Sequence, residues 1–126
     1  MAEKEKNVIT LEFIQHAEIK VKIDPVKSPL TLKKIASEMP LVGRGRFGFD
    51  DKKYYVIRIN LKYGTEKSTM NVKQGDVVYC ARLDAVIIVL DSKAKMPAPV
   101  NVLGKVKDNL DIIKSTPKGT NVKIFR

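Results

Sequence analysis

Apolar and polar residues alternate with a period of two along much of this chain, the signature of strands with one buried face. From Val8 to Ile14, the residues Ile9, Leu11 and Phe13 share one side, with Val8, Thr10, Glu12 and Ile14 on the other. Ala17, Ile19, Val21 and Ile23 then alternate with Glu18, Lys20 and Lys22. The two-residue link Gln15-His16 between these runs predicts a β-hairpin. Lys53 to Leu61 repeats the pattern, with Tyr55, Ile57, Ile59 and Leu61 on one face and Tyr54, Val56, Arg58 and Asn60 on the other. Val77–Ala81, Ala85–Leu90, Val100–Val106 and Asn121–Phe125 read as further strands. Ala85–Leu90 is apolar throughout, which suits a central strand.

Two segments change period. Ser28-Pro29 opens a helix carrying Leu32, Ile35, Ala36 and Met39 as one stripe, and Pro40 ends it. Asp108 caps a second, short helix with Leu110, Ile112 and Ile113 turned inward. Leu41–Asp51, holding Gly43, Gly45 and Gly48, reads as a loop. About eight short strands and two helices predict a mainly β fold, a closed or nearly closed antiparallel barrel with helical caps, because closure removes exposed edges. Its interior should hold Leu11, Phe13, Ile19, Val21, Ile57, Ile59, Ile87, Val89, Val102 and Ile124, with Leu32 and Ile35 against one end.

Composition agrees. Val and Ile number 26 against nine Leu, an excess that favours strands. A chain of 126 residues, 44% hydrophobic and 30% charged, fits one folded domain, expected over 7–126 after a charged, loose stretch at 1–6. The longest apolar run, Ala85–Leu90, is far short of the roughly 18–20 residues that cross a bilayer, so no membrane association is expected. The single cysteine, Cys80, cannot form an intrachain disulfide, and a reducing, cytoplasmic setting follows as the expectation.

The net charge of +10 raises the odds of an anionic partner. Yet 19 of the 24 basic residues are Lys, dispersed among acids, as on the Lys-rich surfaces of thermophile proteins. Nucleic-acid binding is therefore an alternative, not the first reading. It would use Arg44, Arg46, Lys52 and Lys53. Gly43-Arg44-Gly45-Arg46-Phe47-Gly48 matches G-x-G-x-x-G but lacks the strand before and helix after that dinucleotide binding requires. His16 is the only histidine, in a turn, and Cys80 sits among apolar neighbours. Neither suggests nucleophilic catalysis, and one His with one Cys makes no zinc site. Asp50 and Asp51 are adjacent and point apart if extended, so they make no acid–base pair. No metal and no cofactor is expected.

Val100-Asn101-Val102-Leu103-Gly104-Lys105-Val106, followed by Asp108-Asn109-Leu110-Asp111-Ile112-Ile113-Lys114, is similar to a cyclophilin segment: a Gly-Lys-Val strand, a turn and a short helix. It looks closer still to small archaeal and bacterial cyclophilin-like proteins of uncharacterised function, which also show a Gly-Asp-Val-x-Tyr run matched by Gly75-Asp76-Val77-Val78-Tyr79. The resemblance implies a cyclophilin-like barrel. There are departures. Cys80-Ala81-Arg82-Leu83 stands where that group has Trp-Pro-Pro-Gly, and Val89-Leu90-Asp91 where it has Phe-Phe-Gly. Phe49-Asp50-Asp51-Lys52-Lys53 replaces its Trp-Gly-x-Glu.

Active prolyl isomerases of this fold carry Phe-His-Arg-Val-Ile and then Phe-x-x-Gln-Gly-Gly. Val56-Ile57-Arg58-Ile59-Asn60 occupies the matching strand, which makes Arg58 the counterpart of the catalytic arginine, but the Phe and Gln do not follow. The expectation is a peptide- or small-ligand-binding module using the outer face of the barrel around Arg58 and the 91–99 loop, with Tyr54, Val56, Asn60, Tyr79 and Arg82 contributing. Efficient isomerase activity is not expected. A weak isomerase using Arg58 is the alternative.

Overall fold

The N-terminal hairpin sets the register of everything that follows. Strand β1 (Val8–Phe13) pairs antiparallel with β2 (Ala17–Ile23), Leu11 opposite Ile19 and Phe13 opposite Ala17, around a turn at Ile14–His16. The computed structural model describes residues 7–48 and 52–126. The stretch 1–6 and the pair Asp50–Asp51 lie outside the described residues, as does Phe49. Six more strands follow: β3 (Leu41–Phe47), β4 (Tyr54–Arg58), β5 (Asp76–Cys80), β6 (Ala85–Val89), β7 (Asn101–Val106) and β8 (Asn121–Phe125). They close in the order β1-β2-β7-β5-β6-β4-β3-β8, with β8 pairing back onto β1, and every pair is antiparallel. Helix α1 (Pro29–Glu38) lies against one end with Ile35 buried, and the short helix α2 (Leu110–Ile113) buries Ile113. No helix among the described residues is long and apolar enough to cross a membrane.

Leu41–Phe47 is a strand, where the glycines had suggested a loop. The glycines serve packing. Gly43 and Gly45 point inward between exposed Arg44 and Arg46, and a Cβ on either would collide with the Arg58 carbonyl or the Tyr55 ring. Their absent side chains let β3 pass over Tyr55, whose ring centroid lies 5.4 Å from that of Phe13 and 5.0 Å from that of Phe47.

The apolar residues form two bodies. The barrel interior contains Leu11, Phe13, Ile19, Val21, Ile57, Ile59 and Ile124, as expected, together with Tyr55, Tyr79, Val86 and Ile88. Ile87, Val89 and Val102, expected inside, belong instead to a second cluster on the outside of the wall with Tyr54, Val56, Val78, Cys80, Met96 and Val100. The β4–β6–β5 wall is therefore buried on both faces. Alternation assigns two faces to a strand but cannot say which is interior when both are apolar.

Helix capping also differs from expectation. Ser28 precedes α1 without a side-chain bond; the cap comes from Glu66, whose Oε2 accepts the Leu30 N–H at 3.0 Å and whose Oε1 accepts the Thr31 N–H at 2.7 Å. At α2 the capping position is Asn109, in a left-handed conformation, not Asp108, and Ile112 is exposed.

Candidate functional site

The residues singled out by resemblance do not form one surface. Arg58 is exposed at the end of β4, opposite Ala85 on β6. Tyr54 and Val56 are buried in the outer cluster, packed with Met96 and, at its margin, Ala94 and Ala98 of the 91–99 loop. The chain's own loop thus fills the outer face where a ligand groove was expected. Arg82 reaches toward that loop, its Nη1 3.5 Å from the Pro97 carbonyl, and Asn60 is exposed in a left-handed conformation. Tyr79 points into the barrel. Its hydroxyl donates to Asp84 Oδ1 at 2.6 Å and accepts the Tyr63 N–H at 3.1 Å, while Asp84 Oδ1 also accepts the Leu61 and Lys62 N–H groups. Desolvation, reinforced by the bond to Asp84, pushes the Tyr79 pKa up to about 12, and burial alone takes Tyr55 to about 12. Neither phenol loses its proton near neutrality, so neither is a general base there.

The basic residues proposed for nucleic acid lie on β3 and just before β4, two neighbouring strands. Arg44 and Arg46 face outward on β3, with Arg44 against Gly119. Lys52 donates to the Lys114 carbonyl at 3.2 Å and stands 5.2 Å from the centre of the Phe47 ring, and Lys53 is half-buried. His16 joins the first turn to α2 through the Ile112 carbonyl at 3.0 Å, and Cys80 is buried. No group of three His, Cys, Asp or Glu side chains among the described residues is arranged to hold a metal ion.

A concavity lies on another side of the barrel, over β2, β7 and the start of β5. It is a cleft of about 760 Å³ with Lys22 and Ile23 on one side, the 24–27 segment beside them, and Lys67, Thr69, Asn71 and Lys73 on the facing loop. Its floor comes from an irregularity of β7. Val77 pairs with Gly104 but Val78 with Val102, so Leu103 is an extra residue, a β-bulge of the kind that re-aims side chains at sheet edges and sites. The Leu103 carbonyl accepts the Asp24 N–H at 2.9 Å and anchors the near wall. Gly104 is needed at the bulge, since a Cβ there would strike the Lys22 carbonyl of the adjoining strand.

Five lysines line this cleft: Lys22, Lys27, Lys67, Lys73 and Lys105. Its two carboxylates are engaged with backbone. Asp24 Oδ1 accepts the Val26 N–H at 3.1 Å, an Asx turn, and Asp76 Oδ2 accepts the Lys73 N–H at 2.8 Å, three residues back. The ion pairs found among the described residues are Lys34–Glu38 and Lys114–Asp111, both elsewhere, so none of the five ammonium groups has a carboxylate within pairing distance there. Lys22 and Lys105 stand directly opposite each other on β2 and β7, and Lys105 is flanked on its other side by Asp76 of β5. Like charges in that position repel, at a cost of a few tenths to about 1 kcal/mol. Sequence reading missed this site because its residues come from four separate segments; the one local signal was Gly104-Lys105, noted only as part of a family likeness.

With this geometry in view, the chain can be set beside known proteins. Residues 7–125 match the family model described as Cyclophilin-like. The structure is similar to the solution structure of the hypothetical protein AF2241 from Archaeoglobus fulgidus, with a TM-score of 0.78 and 22% identity, covering 94% of this chain and 93% of that one. It is also similar to McbB, solved in complex with tryptophan, with a TM-score of 0.74 and 13% identity over 94% of this chain but 44% of McbB, so the chain spans less than half of that protein. No curated protein sequence matches it.

Proposed function

The chain belongs to the cyclophilin-like family, and on that premise we propose that it is a small-ligand-binding module that takes an anionic ligand in the lysine cleft and has no efficient prolyl isomerase activity. The observation that carries this reading is the direct pairing of Lys22 with Lys105 in a concavity lined by five lysines against two carboxylates, Asp24 and Asp76. An anion seated between the two ammonium groups turns their mutual repulsion into two attractions. The cleft volume falls within the ordinary range for small-molecule sites, roughly 300–1,000 Å³.

Isomerisation needs an arginine donor on the prolyl amide and a pocket holding the ring. Arg58 supplies a donor, but Met96 and its neighbours occupy the adjoining face. One hydrogen bond in water is worth about 1–3 kcal/mol, against an uncatalysed barrier of roughly 18–20 kcal/mol.

Titration of isotope-labelled protein with inorganic pyrophosphate tests the binding half. Saturable amide shifts centred on Lys22, Gly104 and Lys105, weakened at least tenfold in the Lys22→Gln/Lys105→Gln double variant, are expected. Shifts centred on Arg44 and Arg46, or no saturation, would overturn it. A peptide isomerisation assay tests the other half; efficient turnover abolished by Arg58→Ala in a folded protein would reverse it.

A further inference from the structure

Next to the lysine cleft, at the end of the barrel beneath α1, lies a second cavity of about 300 Å³ whose lining is mainly apolar, with Ile9, Ile23, Leu32, Ile35 and Met39, although Lys33 and Arg126 also line it. The two cavities share Asn7, Ile23 and Pro25 as common wall. The segment between them carries Val26 and Leu30 with 73% and 58% of their surface exposed, although each is a large aliphatic residue. The N-terminus of α1 is not an anion site, because the Glu66 carboxylate already accepts its Leu30 and Thr31 N–H groups. The larger share of the positive charge, five lysines, is therefore on the cleft side of the shared wall, and the larger apolar surface is on the helix side.

Resting on the anion-binding reading above, we infer that the ligand is an amphipathic organic anion: an acidic head held by Lys22 and Lys105, and a hydrocarbon or aryl body passing Ile23 and Pro25 into the apolar cavity under α1. A purely polar anion leaves that cavity unused, and a neutral hydrophobe leaves the lysines unsatisfied. Each methylene moved from water into an apolar cavity is worth roughly fourfold in affinity, so the body of such a ligand dominates its binding and the head sets its position.

Octanoate, below its micelle concentration, is the probe, with acetate and 1-octanol as its two halves, each titrated into the 126-residue chain and followed by amide shifts. Octanoate is expected to bind at least tenfold tighter than either half and to shift residues of both cavities, Gly104 and Lys105 with Ile35 and Ala36. Ala36→Leu, which fills the apolar cavity from a helix position that tolerates leucine, should bring octanoate down to the acetate level and leave acetate unchanged. Lys22→Gln/Lys105→Gln should weaken both acids.

If the acids bind at the lysines but octanoate gains nothing over acetate, the amphipathic inference fails and anion binding stands. If neither acid nor pyrophosphate shifts the cleft, anion binding fails. Should octanol match octanoate, the site is apolar only and the inference is overturned. Tight binding to phosphatidylglycerol vesicles with no response to monomeric octanoate would likewise overturn it in favour of a membrane surface. Circular dichroism of each variant separates lost binding from lost fold.

Discussion

Two sides of one barrel wall have been put to opposite uses. On β4, β5 and β6 the outward residues Tyr54, Val56, Val78, Ile87 and Val89 are apolar, and the 91–99 loop closes over them with Met96 buried. Around the wall on β2 and β7 the outward residues are Lys22 and Lys105, and the surface is open as a cleft. The same alternating backbone underlies both. The side chains on the outer face decide whether the chain seals its own surface, because apolar outer residues gain by being covered whereas ammonium groups lose hydration when they are. In this fold a covered face is a core and an uncovered, charged face is where recognition is possible.

That contrast can be broken most forcefully from the sealed side. Ile87→Ala, in the outer cluster, is expected to cost about 2–5 kcal/mol, as much as Ile57→Ala inside the barrel, measured by denaturant unfolding. A cost near zero would show the loop to be a loose cover and restore the outer face as a groove.

The next effect is alkaline. Tyr55 and Tyr79 have pKa values raised to about 12 against an ordinary value near 10. The unfolded chain ionises first, so their contribution to stability is complete below pH 10 and is lost as pH rises toward 12. The melting temperature should fall steeply over that window, and less steeply in Tyr79→Phe. A flat profile would mean that the barrel interior admits water.

Smaller again is the response at Glu66. Desolvation would raise its pKa, but bonds from the Thr31 hydroxyl and the Leu30 and Thr31 N–H groups, with the nearby Lys67 charge, outweigh it and leave the carboxyl below its ordinary range. Its contribution is present above the unfolded carboxylate pKa and fades as pH drops through the folded one. Glu66→Gln should therefore lower stability at pH 7 and make it less dependent on pH between about 5 and 3, as read from melting curves.

The open side gives the smallest effect. Removing one of two opposed charges with Lys22→Gln, whose other cross-strand partner is Val8, should stabilise the ligand-free protein by a few tenths to about 1 kcal/mol, and the gain should shrink as salt is added. A loss of stability would mean that Lys22 is paired in solution and is not waiting for an anion.

Most of the barrel was legible in the sequence because strands with one wet face carry their periodicity openly, as Ala17–Ile23 and Asn121–Phe125 do. The reading failed where a different force governed. Gly43 and Gly45 look like turn residues, yet they sit in β3 because Tyr55 and the Arg58 backbone leave no room for a side chain. Ile87, Val89 and Val102 were put inside because nothing local reveals a covering loop. The family likeness drew attention to Arg58 and its strand, and it pointed to the right fold. It could not show that Met96 fills the face beside it. The lysines of the cleft escaped notice for the reverse reason: each alone is an ordinary solvated residue, and only the closure of β2 onto β7 brings Lys22 to Lys105.

Asn101 ties the start of α1 and the loop leading to Lys67 to the sheet. Buried on β7, its Nδ2 donates to Thr31 Oγ1 at 3.1 Å and to the Gly64 carbonyl at 3.0 Å, and its Oδ1 accepts the Glu66 N–H at 2.8 Å. One amide thus holds the first turn of α1 and the 64–66 loop, and Glu66 bridges those two directly. Such an arrangement has few partial openings: freeing either segment leaves polar groups of the other unsatisfied. The amide protons of Leu30, Thr31 and Glu66 should therefore exchange with solvent through a single shared opening, with one common protection factor, and Asn101→Ala should release all three together.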